Sequence, residues 1–208
     1  MLIGVIDLGL GNIGSVKNII EKVGGKVSLL SSPEELLSVD KLVFPGVGAY
    51  DKTMTQLDEG GWIDLLNKRV IEDKAPILGI CLGMQLFTSG SEEGVRKGLG
   101  WISGRTVRFD LDKMNASLRI PHMGWNIADI KKESLLYSDA GAEDKYYFVH
   151  SYHVVCDDEK DVMTKTNYGY DFVSSFQKEN IVGVQFHPEK SHRFGTNLFR
   201  NFVEDFKS

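Results

Sequence analysis

Cys81 stands between two glycines in Gly79-Ile80-Cys81-Leu82-Gly83-Met84-Gln85, directly after the apolar run Pro76-Ile77-Leu78 and at the start of a helical-looking segment. That pattern describes a nucleophile on a tight strand-to-helix turn. The side chain at the apex is exposed, and its neighbours must be small where the chain reverses too sharply for bulk. At a helix N-terminus the dipole and the unpaired amides favour the thiolate, the form of cysteine that attacks carbonyl carbon. The same pattern also suits a buried cysteine that only fills space, since cysteine is often buried.

A second segment near the other end of the chain, Val184-Gln185-Phe186-His187-Pro188-Glu189, supplies what a cysteine nucleophile needs. Pro188 pushes His187 away from helical dihedrals toward extended ones, and in an extended chain residues two apart project to the same side. His187 and Glu189 therefore point together. The imidazole can accept the thiol proton and later return it to a leaving group, while the carboxylate fixes its tautomer and stabilises the imidazolium. Without the elbow, a surface His-Pro-Glu turn with no chemistry would explain this stretch. Beside Cys81, the set is complete as nucleophile, base and orienter.

These residues need a scaffold, and the first half of the chain reads as alternating strands and helices. Leu2 to Asp7, Lys26 to Leu30, Leu42 to Phe44 and Ile77 to Ile80 read as strands; Ser15 to Val23, Asp51 to Asp58 and Trp62 to Glu72 read as helices. Such alternation implies parallel strands joined by right-handed crossovers, hence an α/β fold. The second half is richer in short aromatic and β-branched runs: Arg105 to Phe109, Lys145 to Val149, Tyr152 to Cys156, Asp171 to Phe176 and Ile181 to Phe186. Strands of hairpins and mixed sheets have this character. A closing helix from about Gly195 to Phe206 carries Leu198, Phe199, Phe202 and Phe206 at helical spacing. With no repeat, low-complexity segment or linker, residues 1–208 are expected to form a single domain.

At 208 residues, 42% hydrophobic and 25% charged, the composition is that of an ordinary soluble protein with a sizeable core. A net charge of −5 argues against a general binder of nucleic acid, which needs a basic stripe. No apolar stretch is long enough to span a membrane, and Met1-Leu2-Ile3-Gly4-Val5 lacks the charged start of a signal peptide. A cytoplasmic location is therefore expected, and there Cys81 and Cys156 remain thiols. Cys156 ends an alternating run and is expected in the core.

Two other motifs compete for attention. Gly9-Leu10-Gly11-Asn12-Ile13-Gly14 satisfies the dinucleotide-binding fingerprint between a strand and a helix, but Ser31 and Ser32 stand where an acidic residue should hold the ribose. His122, His150, His153 and His192 invite a metal reading. His150 and His153, three apart in a strand-like stretch, should face opposite ways and make a poor ligand pair. Neither a metal nor another cofactor is expected.

The elbow, the His-Pro-Glu segment after an apolar strand, and Pro45-Gly46-Val47-Gly48 after Leu42-Val43-Phe44 together resemble the class I glutamine amidotransferases. The likeness extends, in register from the first strand to the last helix, through Pro121-His122-Met123-Gly124-Trp125-Asn126, Tyr147-Phe148-Val149-His150-Ser151-Tyr152 and Gly183 to Lys190. It is nearest to the family's glutaminase subunits that pass ammonia to a barrel-shaped synthase closing an imidazole ring in histidine biosynthesis. Close relatives serve an amidine-forming synthase in surface-sugar synthesis with the same catalytic residues. The resemblance implies a mixed central sheet flanked by helices, glutamine as substrate and a Cys81-His187-Glu189 triad.

In such chemistry charge collects on the amide oxygen, and two backbone donors should meet it: Leu82, next to the nucleophile, and the Val47-Gly48 segment, whose glycines leave the backbone free to approach the substrate and to flip a peptide plane. An ordinary glycine turn is the alternative there. By resemblance Gln85, Glu93, Ser151, Tyr152 and the Gly48 backbone line the substrate pocket. Gln85 lies one helical turn beyond Cys81 and shares its face. Both Gln85 as a plain helix residue and Glu93 as part of a solvated loop stay open. Ammonia released into water would protonate and lose its nucleophilicity, so a docked partner is expected. Pro121, Met123, Trp125 and Asn126 look like an exposed apolar patch with polar edges, although core packing serves Met123 equally. Lys190 at the cleft mouth is a second anchor, and by resemblance Asn12 lies near the same interface. The glycine-rich Gly98 to Arg105 departs from the family's pattern but lies outside the catalytic set. A nucleotide-binding module and, more remotely, a peptidase are the readings from other classes.

Overall fold

The apolar triplet Leu42-Val43-Phe44 is buried on both sides, as strands of a parallel sheet covered on each face must be. In the computed structural model, which describes residues 1–9, 11–113 and 118–206, that sheet organises the molecule. The first half runs β1 (Leu2–Ile6), α1 (Ile13–Lys22), β2 (Lys26–Leu30), β3 (Lys41–Gly46), α2 (Tyr50–Glu59), α3 (Trp62–Asn67), β4 (Ile77–Cys81) and α4 (Leu82–Leu86). The second half runs β5 (Gly104–Arg108), β6 (His122–Ile127), β7 (Asp129–Ile130), β8 (Lys145–His150), β9 (Tyr152–Cys156), β10 (Val162–Asn167), β11 (Asp171–Lys178), β12 (Ile181–Val184) and α5 (His192–Glu204).

The strand order is β2-β1-β3-β4-β12-β11-β10-β7, with β9 joining β11 and β5 joining β9. β2, β1, β3, β4 and β12 pair in parallel; β11, β10 and β7 continue antiparallel. This is the mixed α/β sheet expected from the change in character halfway along the chain. The consequence for chemistry lies in one pairing. β12 lies beside β4 in register Val184↔Ile80, so the residues that follow each strand, Cys81 and the His187 segment, emerge at the same C-terminal edge. Ligand sites of open parallel sheets form at that edge.

Two apolar clusters cover the two faces. Val43, Val16, Ile20, Phe199 and Phe202 share one, against α1 and α5; Leu42, Phe44, Leu57, Leu66 and Met84 share the other, against α2, α3 and α4. The helix expected to begin near Gly195 begins at His192 and buries Leu198, Phe199 and Phe202, with Phe206 buried just past its end.

Three strands carry no expectation from the sequence, the two-residue β7 and the longer β6 and β10. β6 contains Gly124 and Asn126, residues depleted in strands, and pairs only with β8 in a separate two-stranded sheet. β10 buries Thr164 and Thr166 as well as the apolar Val162 and Met163; Thr164 Oγ1 lies 2.8 and 2.7 Å from the hydroxyls of Ser174 and Ser175. Buried threonines among the inward residues weaken the alternating hydrophobic signal. The helix expected over Trp62 to Glu72 is regular only to Asn67, and Lys68–Glu72 is a widened π turn. Cys156 is half-buried, not in the core; burial and the nearby carboxylates of Asp161, Glu159 and Asp157 push its thiol up to about 12, so it is an inert cysteine.

Candidate active site

Cys81 sits at φ 55°, ψ −109°, a conformation that side chains rarely tolerate. Paired strands on both sides of β4 and the start of α4 hold it there. The small residues flanking it are required by contact. A Cβ on Gly79 would lie 2.6 Å from Phe87 Cε2 and 2.8 Å from the Met84 amide nitrogen, and one on Gly83 would run into the Phe44 carbonyl oxygen. Gly83→Ala is therefore expected to cost about 3 kcal/mol, the upper range for overpacking, because backbone cannot move aside. Urea denaturation of the purified variant would show it, and an unchanged midpoint would contradict the steric account. α4 is only five residues long, so the dipole expected to assist Cys81 is small. What the helix start does offer is the Leu82 amide, which helix geometry leaves without an internal acceptor.

His187 is held from both ends. Its amide donates to the Tyr147 carbonyl at 2.8 Å, and its carbonyl accepts from Ser191 Oγ at 2.6 Å, while that hydroxyl accepts the Tyr147 amide at 3.0 Å. Its backbone is extended (φ −101°, ψ 93°), as Pro188 requires, and its Nδ1 lies 2.8 Å from Glu189 Oε1. Both side chains are only 3% exposed. The other ring nitrogen, Nε2, is buried without a hydrogen-bond partner and is the nitrogen left for Cys81. Burial alone lowers the imidazole. Its interactions with the Cys81 sulfur and the Glu189 carboxylate outweigh burial and push His187 up to about 10. The Cys81 sulfur and the Glu189 carboxylate thus both favour the protonated ring.

Cys81, Leu82, Gln85, His187, Val47, Gly48, Glu93, Ser151 and Tyr152 line one cavity of about 280 Å³, together with Val149 and His150. Every residue expected for nucleophile, base, donors and pocket, apart from Glu189 behind the histidine, meets there. The volume suits a small metabolite. Gly48 has φ +121°, open to glycine and strained for other residues, so the loop after β3 approaches the cavity by backbone. Glu93 stands on the rim, its carboxyl raised by partial desolvation against the Tyr50 amide that donates to it, with Asp51 adding to the rise.

The structure also adds contacts at two glutamines and corrects two expectations. Gln85 is no free helix residue: its Nε2 donates to the Tyr152 carbonyl at 3.1 Å and to Gln185 Oε1 at 3.0 Å. Gln185, which the sequence reading left without a role, in turn donates Nε2 toward Cys81 Sγ at 3.7 Å. The signal was available, since Gln185 precedes His187 by two residues on an extended run. His150 and His153 do not face apart; β8 ends at His150, the chain turns at Ser151, and both rings pack on Phe109 with centroids 5.2 and 4.9 Å away. Asn126 is not part of the patch. Pro121, Met123 and Trp125 share the exposed face of β6, whereas Asn126, one residue on, turns to the other face and donates to the Asn167 carbonyl. Asn12 is exposed and caps α1 through the Ser15 amide, and Lys190 is exposed with Nζ 5.9 Å from the Tyr147 ring. Of the glycine-rich fingerprint, Leu10 lies outside the described residues. No group of three His, Cys, Asp or Glu residues placed to hold a metal occurs among the described residues, and no helix among them is long and apolar enough to cross a membrane.

A cysteine on a strained elbow, sharing a cavity with a carboxylate-paired histidine, is an arrangement able to carry acyl transfer at a carboxamide. The family model for class-I glutamine amidotransferases matches residues 4–206. The chain belongs to the class I glutamine amidotransferase family. Among similar amidotransferases, the imidazole glycerol phosphate synthase subunit HisH 2 of Methanococcus maripaludis is 48% identical over 98% of this chain and 99% of its own length. Subunit HisH of Leptospira borgpetersenii is 43% identical over 97% of this chain and 99% of its own. In structure, PurLQS from Thermotoga maritima superposes with a TM-score of 0.75 at 16% identity, covering 99% of both chains, which shows that the amidotransferase fold is shared.

Proposed function

We propose that this chain hydrolyses glutamine to glutamate and ammonia through a thioester on Cys81, and hands the ammonia to a barrel-shaped synthase subunit that forms imidazole glycerol phosphate in histidine biosynthesis. The single observation that carries the chemistry is His187: Nδ1 is engaged by Glu189 at 2.8 Å while Nε2 is buried and unpartnered in the cavity that Cys81 lines.

The steps follow from the geometry. Cys81 Sγ adds to the side-chain carboxamide carbon of glutamine, and the electron pair of the C=O bond moves to oxygen. The amides of Leu82 and of the Val47-Gly48 segment are the donors for that oxyanion, worth several kcal/mol when preorganised. His187 Nε2 gives its proton to the departing nitrogen, the C–N bond breaks, and ammonia leaves a thioester. Water then attacks the same carbon as His187 takes a proton from it, and the thiolate departs from glutamate. Glu189 holds the imidazole in the tautomer that both steps need. Glu93 at the rim offers a carboxylate to the substrate's ammonium group.

Support for a partner comes from the surface and from the relatives. Met123 is 62% and Trp125 44% exposed on one face of β6, and Trp125 stacks on His192 with the ring centroids 5.2 Å apart. Lys190 follows the triad carboxylate and lies over Tyr147, itself edge-on to Trp125, so the apolar face adjoins the catalytic end of the cavity. Pro121 extends that face, and Asn12 at the start of α1 flanks it by resemblance to the family. The similar proteins are named as subunits of a synthase.

The test is growth of a histidine-requiring bacterial strain that lacks its own glutaminase subunit, in low-ammonium medium, given this chain with a histidine-pathway barrel synthase. Rescue by the native chain and not by Cys81→Ala is expected. Glutamine hydrolysis in vitro without any rescue would move the chain to another ammonia acceptor, such as an amidine-forming synthase of sugar biosynthesis.

A further inference from the structure

Three polar side chains that the hydrolytic steps do not use, buried His122 and His150 and half-buried Asn126, link the exposed strand β6 to the wall of the cavity. Asn126 Nδ2 lies 3.4 Å from His122 Nε2; His122 Nδ1 lies 3.1 Å from His150 Nε2; His150 Nδ1 lies 2.7 Å from the Tyr152 carbonyl oxygen. His122 and His150 are also direct partners in the β6–β8 register.

The protons on this chain can be assigned. A carbonyl oxygen only accepts, so His150 Nδ1 donates to Tyr152 and, in the neutral ring, Nε2 accepts. His122 Nδ1 must then donate and its Nε2 accept. Asn126 Oδ1 takes the Ile127 amide at 2.9 Å, which leaves the Nδ2 hydrogens for the Asn167 carbonyl and for His122. Each donor points toward the cavity. The arrangement works only with both imidazoles uncharged, and the surroundings ensure that. The His122 ring is sandwiched between Phe148 and Tyr168, at centroid distances of 4.8 and 4.0 Å, and burial brings it down to about 4; burial and the neighbouring His122 hold His150 well below its ordinary value.

The chain ends on a carbonyl that matters. The Tyr152 oxygen also receives Gln85 Nε2, the same amide group that binds Gln185, whose own amide reaches Cys81 Sγ. One residue along the same strand pair, Met123 of the exposed face is opposite Val149, whose carbonyl lies 4.0 Å from Cys81 Sγ. The apolar face of β6 and the cavity wall are therefore two sides of one small ladder.

We propose that the one-way chain Asn126 to His122 to His150 fixes the Ser151-Tyr152 wall of the glutamine pocket from the strand that bears the exposed Met123 and Trp125, so that His122 and Asn126 are positioning residues for glutamine. This rests on the glutaminase reading of the same cavity. Loss of a link frees the Tyr152 carbonyl to turn, and the pocket then spends binding energy on ordering it.

The experiment measures glutamine affinity by calorimetry in a Cys81→Ala parent, which cannot turn over, with a second change at His122. His122→Leu keeps the volume and removes the donor; His122→Asn sets an amide nitrogen where Nδ1 stood and keeps it. We expect His122→Leu to weaken glutamine about ten-fold, the scale of one hydrogen bond and its unpaired partner, and His122→Asn to recover to within about three-fold of the parent. In the native Cys81 background the same loss should appear in KM, with kcat within about two-fold. Equal affinity in all three proteins, or equal loss in Leu and Asn variants, overturns the proposal, since pure packing would not distinguish a donor from its isostere. If His122→Leu does not fold, Asn126→Leu at the half-exposed end of the chain is expected to weaken binding several-fold, and unchanged affinity there overturns it equally. A parent that binds no glutamine at all would instead remove the glutaminase reading, and this role with it.

Discussion

Cys81→Ala is expected to lower glutamine hydrolysis by about 10⁵-fold while leaving the protein folded, because removing a covalent nucleophile removes the pathway and not one contact. Only residual turnover from the polar cavity should remain. A fall of less than about 100-fold would mean that another group, or bound water, attacks the amide. The backbone makes the test sharper. Cys81 occupies φ 55°, ψ −109°, and strain of that kind costs on the order of 1–3 kcal/mol. Alanine keeps the strain and glycine releases it. Cys81→Gly should therefore be more stable than Cys81→Ala by about 1 kcal/mol, or about 2–4 °C in Tm for a chain of this size, and equally inactive. Identical melting of the two variants would show that the elbow stores no strain, and the case for a conformation held for chemistry would weaken.

Glu189→Gln is expected to cost on the order of 10³-fold or more in kcat with little change in KM, because an amide neither stabilises an imidazolium nor keeps the hydrogen on Nδ1. It should also change how stability depends on pH. The folded His187 is raised to about 10 from an ordinary value near 6.5; burial opposes the rise, and interactions with Cys81 and Glu189 drive it. A raised folded-state pKa means that the folded form holds its proton more tightly than the unfolded chain does. The resulting stabilisation is complete below about pH 6.5 and is lost as pH climbs through about 10. Native Tm should thus decline between pH 7 and 10, and the decline should flatten in Glu189→Gln, where the charged partner is gone. Parallel pH profiles for the two proteins would show that the carboxylate does not hold the proton. One oxygen of Glu189, Oε2, is buried without a partner. Keeping an unsatisfied carboxylate oxygen inside a protein is unfavourable, which fits a charge retained for what it does to His187.

Much of this site could be read directly from residue order because its parts are local. The elbow is one heptapeptide whose glycines are required by steric contacts within a few ångströms, and the His187-Glu189 pair lies on a segment whose direction a single proline constrains. Gln185 escaped only because a buried amide has no chemistry of its own; its role appears when the Cys81 sulfur is found beside it. Ser191 is similar, a hydroxyl after the motif that ties the His187 carbonyl to the Tyr147 amide. The two longer strands that the sequence did not show share one cause. β6 and β10 carry glycine, asparagine and threonine where a strand's buried face should be apolar, and their pairing is settled by partners far along the chain.

The order of residues by itself determined the alternating framework of strands and helices and the family, and it singled out Cys81, His187 and Glu189 for the proposed chemistry, since each depends on side-chain type and short-range spacing. Only the folded molecule decided that the thiol and the imidazole, 106 positions apart, share one cavity, because β12 inserts beside β4 in parallel register and brings the C-terminal ends of both strands to one edge. The tertiary structure likewise decided that His150 and His153 converge on Phe109, and that Asn126 faces inward while Trp125 faces out. The physical reason is that strand pairing and the break at Ser151 join residues through hydrogen bonds between distant segments, and no local periodicity carries that information.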